Sequence, residues 1–250
     1  MEIHAESFWL QKDGNSAFEY EDAFYPEDVV LTRQDRFRFA IADGATDSSF
    51  SGIWARLLVR AFVEGGGDDI EAILADSQPR WIEQVGKRQL PWYAEQKAEM
   101  GAFSSLLGFT ICDEPEVAGG YRWRAIAIGD SCLVQVREEQ VSVRFPMEHS
   151  SLFDSSPFLL PSNPRYNRAV AEHVAACCGD SLAGDTFYLM TDALACWFMA
   201  EDEQGRVPWQ ILRDLSTLDE REPFHEMIAR LRAQGDLRND DCTLTRIDVF

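Results

Sequence analysis

Two segments far apart in the chain share one design. RFRFAIADG at 36–44 and TFYLMTDA at 186–193 each run as an apolar strand that stops on an aspartate. In the first, Phe37, Phe39 and Ile41 alternate with Arg36, Arg38 and Ala40, the period of a strand with one buried face. After the polar run TDSSFSG, residues Ile53, Trp54, Leu57, Leu58, Ala61 and Phe62 fall on one face of a helix, capped by Ser49 or Ser51. In the second, the strand ends at Asp192 and turns at once into an apolar helical stretch. Two further acidic pairs, Glu21-Asp22 and Asp240-Asp241, stand where a loop meets a strand. Strand ends are rigid platforms, and carboxylates fixed there can meet the narrow geometry of a Mg2+ or Mn2+ site, near 2.1 Å per oxygen.

The remaining pattern is mixed. A strand opens the chain and a second runs near Asp22 to Tyr25. Asp68 or Asp69 caps a second helix that runs to Ser77, Pro79 interrupts it, and Trp81, Ile82 and Val85 continue its apolar stripe. The stretch Trp92 to Met100 reads as helical. FSSLLGFTIC, YRWRAIAIG after a Gly119-Gly120 turn, SCLVQVR, and QVSVRF after a turn at Glu138-Glu139 read as consecutive antiparallel strands. A Pro- and Ser-rich loop from Pro146 to Pro164 leads to a helix over Arg165 to Ala176. Helices near Trp209 to Leu215 and Pro223 to Ala233 precede a closing strand, CTLTRIDVF. With no internal repeat or linker, one domain over 1–250 is expected.

Charge narrows the partners. The formal net charge of -20 repels nucleic acid and anionic lipid, while supplying carboxylates suited to hard cations. The six cysteines have no framework spacing, no CxxC occurs, and the four histidines are scattered, which disfavours zinc and disulfides. No apolar run has the roughly 18 residues of a membrane span, so a cytoplasmic protein is expected.

Taken singly, each acid has a duller explanation. Asp-Gly is more often a hairpin turn, an Asp before a helix is more often its N-cap, and acidic pairs in loops are more often solvated. The ordered set is more specific. EDAF at 21–24, FAIADGATDSSFSGIWARLLVRAFV at 39–63, FSSLLGFT at 103–110, AIAIGDSCLVQV at 125–136, YLMTDAL at 188–194 and DDCTLTRIDV at 240–249 occur in one order. Together they resemble the motifs of the protein phosphatase 2C family, metal-dependent Ser/Thr phosphatases, in its bacterial branch.

The resemblance implies an α/β (α+β) fold, a four-layer α-β-β-α sandwich of two mainly antiparallel sheets flanked by helices. It implies a signalling hydrolase that uses two Mn2+ or Mg2+ ions, with an optional third, to activate water toward phosphoserine or phosphothreonine on a protein. Asp43 would bridge two ions with the Gly44 carbonyl on one of them, and Asp192 and Asp240 would bind one ion. Glu21 and Asp22 would act on the other, largely through water, and Asp130 with Asp192 would hold the third. Asp22, Asp43 and Asp192 carry the catalysis in this reading. The expected partners are a phosphoprotein substrate and a cognate Ser/Thr kinase.

The chain departs from the family at several points. Ala17 stands near the position of the usual phosphate-gripping Arg, with Lys12 and Arg33 as nearby substitutes. Ala193 replaces a Gly, Asp241 an Asn, and Cys132 a frequent Arg. Asp241 adds charge beside Asp240, which would tighten cation binding and repel phosphate. No general acid is identified; His149 and His173 are conceivable, although a lone His is more often structural. Two alternatives remain: a pseudophosphatase that binds a phosphoprotein without turnover, and a metal-dependent phosphatase of small molecules.

Overall fold

Alternation with a period of two sorts the side chains of each strand onto two faces, and this sets the layering. The computed structural model describes residues 1–250 except 47, 49, 66, 89–98, 114–119, 154–155 and 217–221. One sheet has the order β3 (Val30–Arg33), β1 (Glu2–Leu10), β13 (Cys242–Val249), β12 (Thr186–Met190), β8 (Cys132–Arg137), β9 (Gln140–Phe145). The other runs β11 (Ala175–Leu182), β7 (Gly120–Ile128), β6 (Leu106–Asp113), β4 (Arg36–Ala42), β2 (Ala23–Tyr25). A short pair, β5 (Phe103–Ser104) with β10 (Leu160–Pro161), stands apart, and all these pairings are antiparallel.

Between the sheets lie Phe37, Phe39 and Ile41 of β4, Phe109 of β6 and Trp123 of β7, packed against Phe187 and Leu189 of β12 and Ile247 of β13. The alternate residues face outward. Ala40, Ala42, Leu106 and Ile126 meet α1 (Ser51–Gly65) and α2 (Ile70–Gly86). Val134, Tyr188, Met190 and Leu244 meet α3 (Asp192–Glu203), α4 (Pro208–Arg213) and α5 (Glu222–Gln234). The result is the four-layer α-β-β-α sandwich that the resemblance implies.

Register brings the acids to one end. Leu10 pairs with Cys242, Met190 with both Leu244 and Cys132, and Ala23 with Ala42. The residues just beyond these pairs are Asp240-Asp241, Asp192, Asp130, Glu21-Asp22 and Asp43. Close docking of α1 fixes the loop after Asp43, and Gly108 permits that docking. A methyl group on Gly108 would lie 2.2 Å from the Phe62 ring of α1.

Several expectations are corrected. The helix over Arg165 to Ala176 is a 3-10 helix over Pro164–His173 followed by β11, which pairs with β7 along Ala175 to Leu182. Alanines in the sequence favour helix, but the open edge of β7 captures the segment, and Gly179 lets it pass over Trp123. Pro79 does not interrupt α2, which is continuous through it. Pro forfeits one backbone hydrogen bond, and burial of Ile73, Leu74, Trp81 and Val85 outweighs that loss. β7 and β8 are consecutive but belong to different sheets, because the chain crosses between layers at Gly129-Asp130-Ser131. β3, an edge strand on β1, is an addition. Residues 92–98 and Gly119 lie outside the described residues, as does Ser49. Among the described residues no helix is long and apolar enough to cross a membrane.

If Gly108 is the clearance for α1, Gly108→Ala will destabilise the protein by about 1–3 kcal/mol in urea unfolding, as overpacking does. Adding Phe62→Leu will restore part of the loss. Additive effects of the two changes would contradict this packing.

Candidate metal centre

The site is assembled from backbone clamps before any carboxylate chemistry begins. Asp43 leaves the end of β4 with its N–H donated to Ser105 Oγ at 2.9 Å, and its carbonyl accepts from Ser105 N at 2.8 Å. The Ser105 and Ser131 hydroxyls are 2.8 Å apart, tying the loop before β6 to the turn that carries Asp130. Gly44 is then pressed against two other parts of the site. A methyl group there would lie 2.6 Å from the Glu21 carbonyl oxygen and 2.9 Å from Ser51, so only glycine allows this approach.

Asp241 is a clamp as well. Its two oxygens accept the backbone N–H of Lys12 at 2.8 Å and of Glu21 at 2.7 Å, which fixes the chain after β1 and the entry to β2. Its oxygens are engaged by amides, a positioning role in addition to the charge expected of it, which acts on Asp22. Arg232 of α5 backs the arrangement by donating to the carbonyls of Gln11 and Asp240 and to Asp13. Ser51 heads α1, but its hydroxyl donates to Glu21 instead of capping the helix. Thr191 is the N-cap of α3, and Asp192 is the first helical residue, its Oδ1 accepting from Ala193 N.

The electrostatics show which acids share a field. Burial pushes the Asp43 carboxyl well above the usual range, and the Asp22, Asp192, Asp130 and Asp240 carboxylates push it further. Asp22, only 2% exposed, is raised well above its ordinary value by burial first and then by Asp241 and Asp192, although Thr243 opposes the shift. Thr243 Oγ1 donates to Asp22 Oδ2 at 2.6 Å, while Oδ1 is buried and without a hydrogen-bond partner among the described residues. Asp192 is raised by burial, and Arg238 opposes it. Glu21 is also raised by burial but lies nearer the rim, where Ser51 and Lys12 act on it.

The structure therefore brings Asp22, Asp43, Asp130, Asp192 and Asp240 into one field, with Glu21 beside it. A cation that no sequence motif singles out stands among them. Arg238, about half exposed, donates to Asp192 and has its Nε 3.7 Å from Asp240. Its only sequence signal is its place two residues before Asp240. Lys12 stands at the rim, its Nζ 3.2 Å from Thr46 Oγ1. Arg33 lies opposite Glu2 in the β1–β3 ladder, at the other end of β1 from the acids. His149 pairs with Glu203 and His173 stacks on Phe158.

A hard cation suits this donor set in chemistry: the candidate ligands are carboxylate and carbonyl oxygens, and one of them is buried and unpartnered. Among the described residues, no three Asp, Glu, His or Cys side chains converge as a closed set of ligands. The guanidinium of Arg238 takes part of the charge that such a set would otherwise present.

Comparison with known proteins fits this architecture. The sequence model of the family described as protein phosphatase 2C matches residues 19–242, and the chain belongs to that family. No curated protein sequence matches it. Among solved structures it is similar to the Mycobacterium tuberculosis serine/threonine phosphatase PstP/Ppp, with a TM-score of 0.60, 17% identity, and coverage of 100% of this chain and 99% of that one. The catalytic domain of PstP in complex with two manganese ions gives a TM-score of 0.58 at 17% identity, covering 99% of each chain. The S. agalactiae serine/threonine phosphatase gives 0.56 at 14%, covering 98% of this chain and 100% of that one. At these identities the likeness shows the fold.

Raised carboxyl pKa values give a definite sign. For Asp22 and Asp43 the folded value lies above the unfolded one, so their contribution to stability is complete below the ordinary carboxylate range and is lost as pH rises through the raised values. In EDTA the melting temperature will rise as the pH is lowered from about 8 to about 5.5, above the range in which ordinary carboxylates titrate. Asp43→Asn will melt higher than the wild type at the upper pH and flatten the profile. A wild-type profile that falls over this window, or an Asn variant that melts lower, would contradict the shared field.

Proposed function

We propose that the chain hydrolyses phosphoserine and phosphothreonine on proteins, with Mn2+ or Mg2+ held at the acidic cluster. The observation that carries this reading is the buried, half-partnered carboxylate of Asp22 beside Asp43, both of whose ionisation the neighbouring acids oppose, in a chain of the protein phosphatase 2C family. Hard cations neutralise such a set while using its oxygens as ligands. Asp43 and the Gly44 carbonyl would serve between two ions, Asp192 and Asp240 would hold one, and Glu21 and Asp22 the other. Asp130 with Asp192 suits a third. The two manganese ions of the PstP catalytic domain support Mn2+. When bound, such ions lower the pKa of water and offset charge on a phosphoryl group.

The protein's own groups would position the reactants. Asp241 holds the backbone of Lys12 and Glu21 so that a cation and a carboxylate face the cleft side by side. Lys12 is the point charge available for a phosphoryl oxygen, without the bidentate grip an arginine would give. Ser51 fixes Glu21, and Thr243 fixes one oxygen of Asp22 while leaving the other for a ligand. The six free cysteines fit a reducing cytoplasm.

One observation favours a second reading. Arg238 already neutralises Asp192 and sits beside Asp240, as it would in a module that binds a phosphoprotein without turning it over. Hydrolysis of a phosphothreonine peptide and of p-nitrophenyl phosphate, with Mn2+, Mg2+ or EDTA, separates the two. The phosphatase reading expects metal-stimulated turnover that Asp43→Asn or Asp192→Asn lowers by about 100-fold or more. Lys12→Ala will lower kcat/KM by about 10-fold. Peptide binding without turnover in any metal would establish the second reading instead.

A further inference from the structure

Next to the acids, across the Glu21 backbone, lies a cleft of about 540 Å³ in whose lining cations outnumber carboxylates, Glu19 and Glu21 being the acids there. In a chain with a net charge of -20, its lining includes three cations, Lys12, Arg56 and Arg88. The position is defined by Gly52 of α1. A methyl group built there would lie 3.2 Å from the Glu21 Cα and 3.5 Å from Arg56 Nη1, so one guanidinium is a single residue's width from the acidic rim. Arg88, just beyond α2, rests over the Phe50 ring at 5.3 Å from its centroid. The fully exposed Phe18 also lines the cleft.

The two arginines are unusual for their helices. On α1 and α2, Arg60, Arg80 and the following Lys87 each pair with a carboxylate one helical turn away, Glu64, Asp76 and Glu83. Arg56 has Gly52 and Arg60 at those positions, and Arg88 has Gln84 on its helical side. Neither makes an ion pair among the described residues. Burial and the nearby Arg88 depress the basicity of Arg56, and Glu27 is the weaker opposing influence. Two guanidiniums that line one cleft, neither of them ion-paired among the described residues, repel each other, and an anion relieves that repulsion. The backbone of Ser51, Gly52 and Ile53, the positive end of α1, lines the same space.

Resting on the phosphoprotein reading of the neighbouring acids, we propose that this cleft binds a second anionic group of the substrate. Arg56 and Arg88 would thereby make the protein select phosphoresidues flanked by acidic or phosphorylated residues. The phosphoresidue would lie at the acids and Lys12, and the flanking anion would lie over the start of α1. Phe50 and Phe18 supply apolar contact to the intervening peptide. Arg56 and Arg88 are specificity determinants in this scheme and take no part in the reaction at phosphorus.

The test is equilibrium binding, with Mn2+ present, of three fluorescent peptides that share one non-hydrolysable phosphonate analogue of phosphothreonine and differ only in their flanking residues: all Ala, Asp-rich, or with one phosphonate analogue of phosphoserine. Wild-type protein is expected to bind at least one anionic peptide about 10-fold more tightly than the alanine peptide at low salt, with the preference shrinking at high salt. The Arg56→Gln/Arg88→Gln double variant is expected to bring that ratio close to one. Preference for the Asp peptide or for the phosphoserine-analogue peptide identifies which anion the cleft takes. Equal binding of all three peptides by the wild type, or an undiminished preference in the double variant, overturns the proposal. Wild-type turnover of p-nitrophenyl phosphate with Mn2+, measured in parallel, reports on the phosphatase reading alone, since that substrate has no flanking group.

Discussion

Like charges crowded at one end of two sheets are the constraint on which the rest of this structure depends. Asp22 and Asp43 would ionise more readily apart from the neighbouring acids, and burial worsens the cost. The fold keeps them together because strand register leaves no freedom at the strand ends. Ala23 is locked to Ala42 and Met190 to both Leu244 and Cys132, and the interior between the sheets locks the registers in turn. The acids are therefore held by several layers of packing, Asp22 and Asp43 at positions that oppose their ionisation. Local destabilisation at a rigid site is what a binding function asks of a fold.

The polar interactions around the cluster divide into clamps and ligands. Asp241, Ser105, Ser131 and Arg232 use their hydrogen-bonding capacity on backbone and on one another, which positions the loops. Asp22 and Glu21 each have one oxygen secured by a hydroxyl, from Thr243 and Ser51. Arg238 belongs to neither class. It reaches in from a half-exposed position to touch Asp192, so a divalent cation bound there would have to compete with its guanidinium for that oxygen.

Much of this was legible in the sequence, for a physical reason. A strand with one buried face writes its alternation into the chain, and Phe37, Phe39 and Ile41 announced both β4 and the aspartate at its end. The same holds for the strand that delivers Asp192. Segments governed by partners elsewhere were not legible. Ala175 and Ala176 suit the end of a helix but open β11 because β7 offers an open edge. Pro79 stays inside α2 because of what that helix packs against. The division of labour between Asp240 and Asp241 could not be read from two adjacent identical residues, since it rests on the amides of Lys12 and Glu21, over 200 positions away. Arg56 and Arg88 lie on different helices, and no spacing rule links them.

The central claim is that this end of the sandwich is organised to hold hard cations. Anomalous diffraction from crystals of the wild-type protein equilibrated with Mn2+ tests it most directly. The account predicts manganese peaks bounded by Asp43, one of them also bounded by Asp192 and Asp240, with Arg238 turned away from Asp192. An absence of anomalous density at saturating Mn2+, with Arg238 still seated on Asp192, would contradict it.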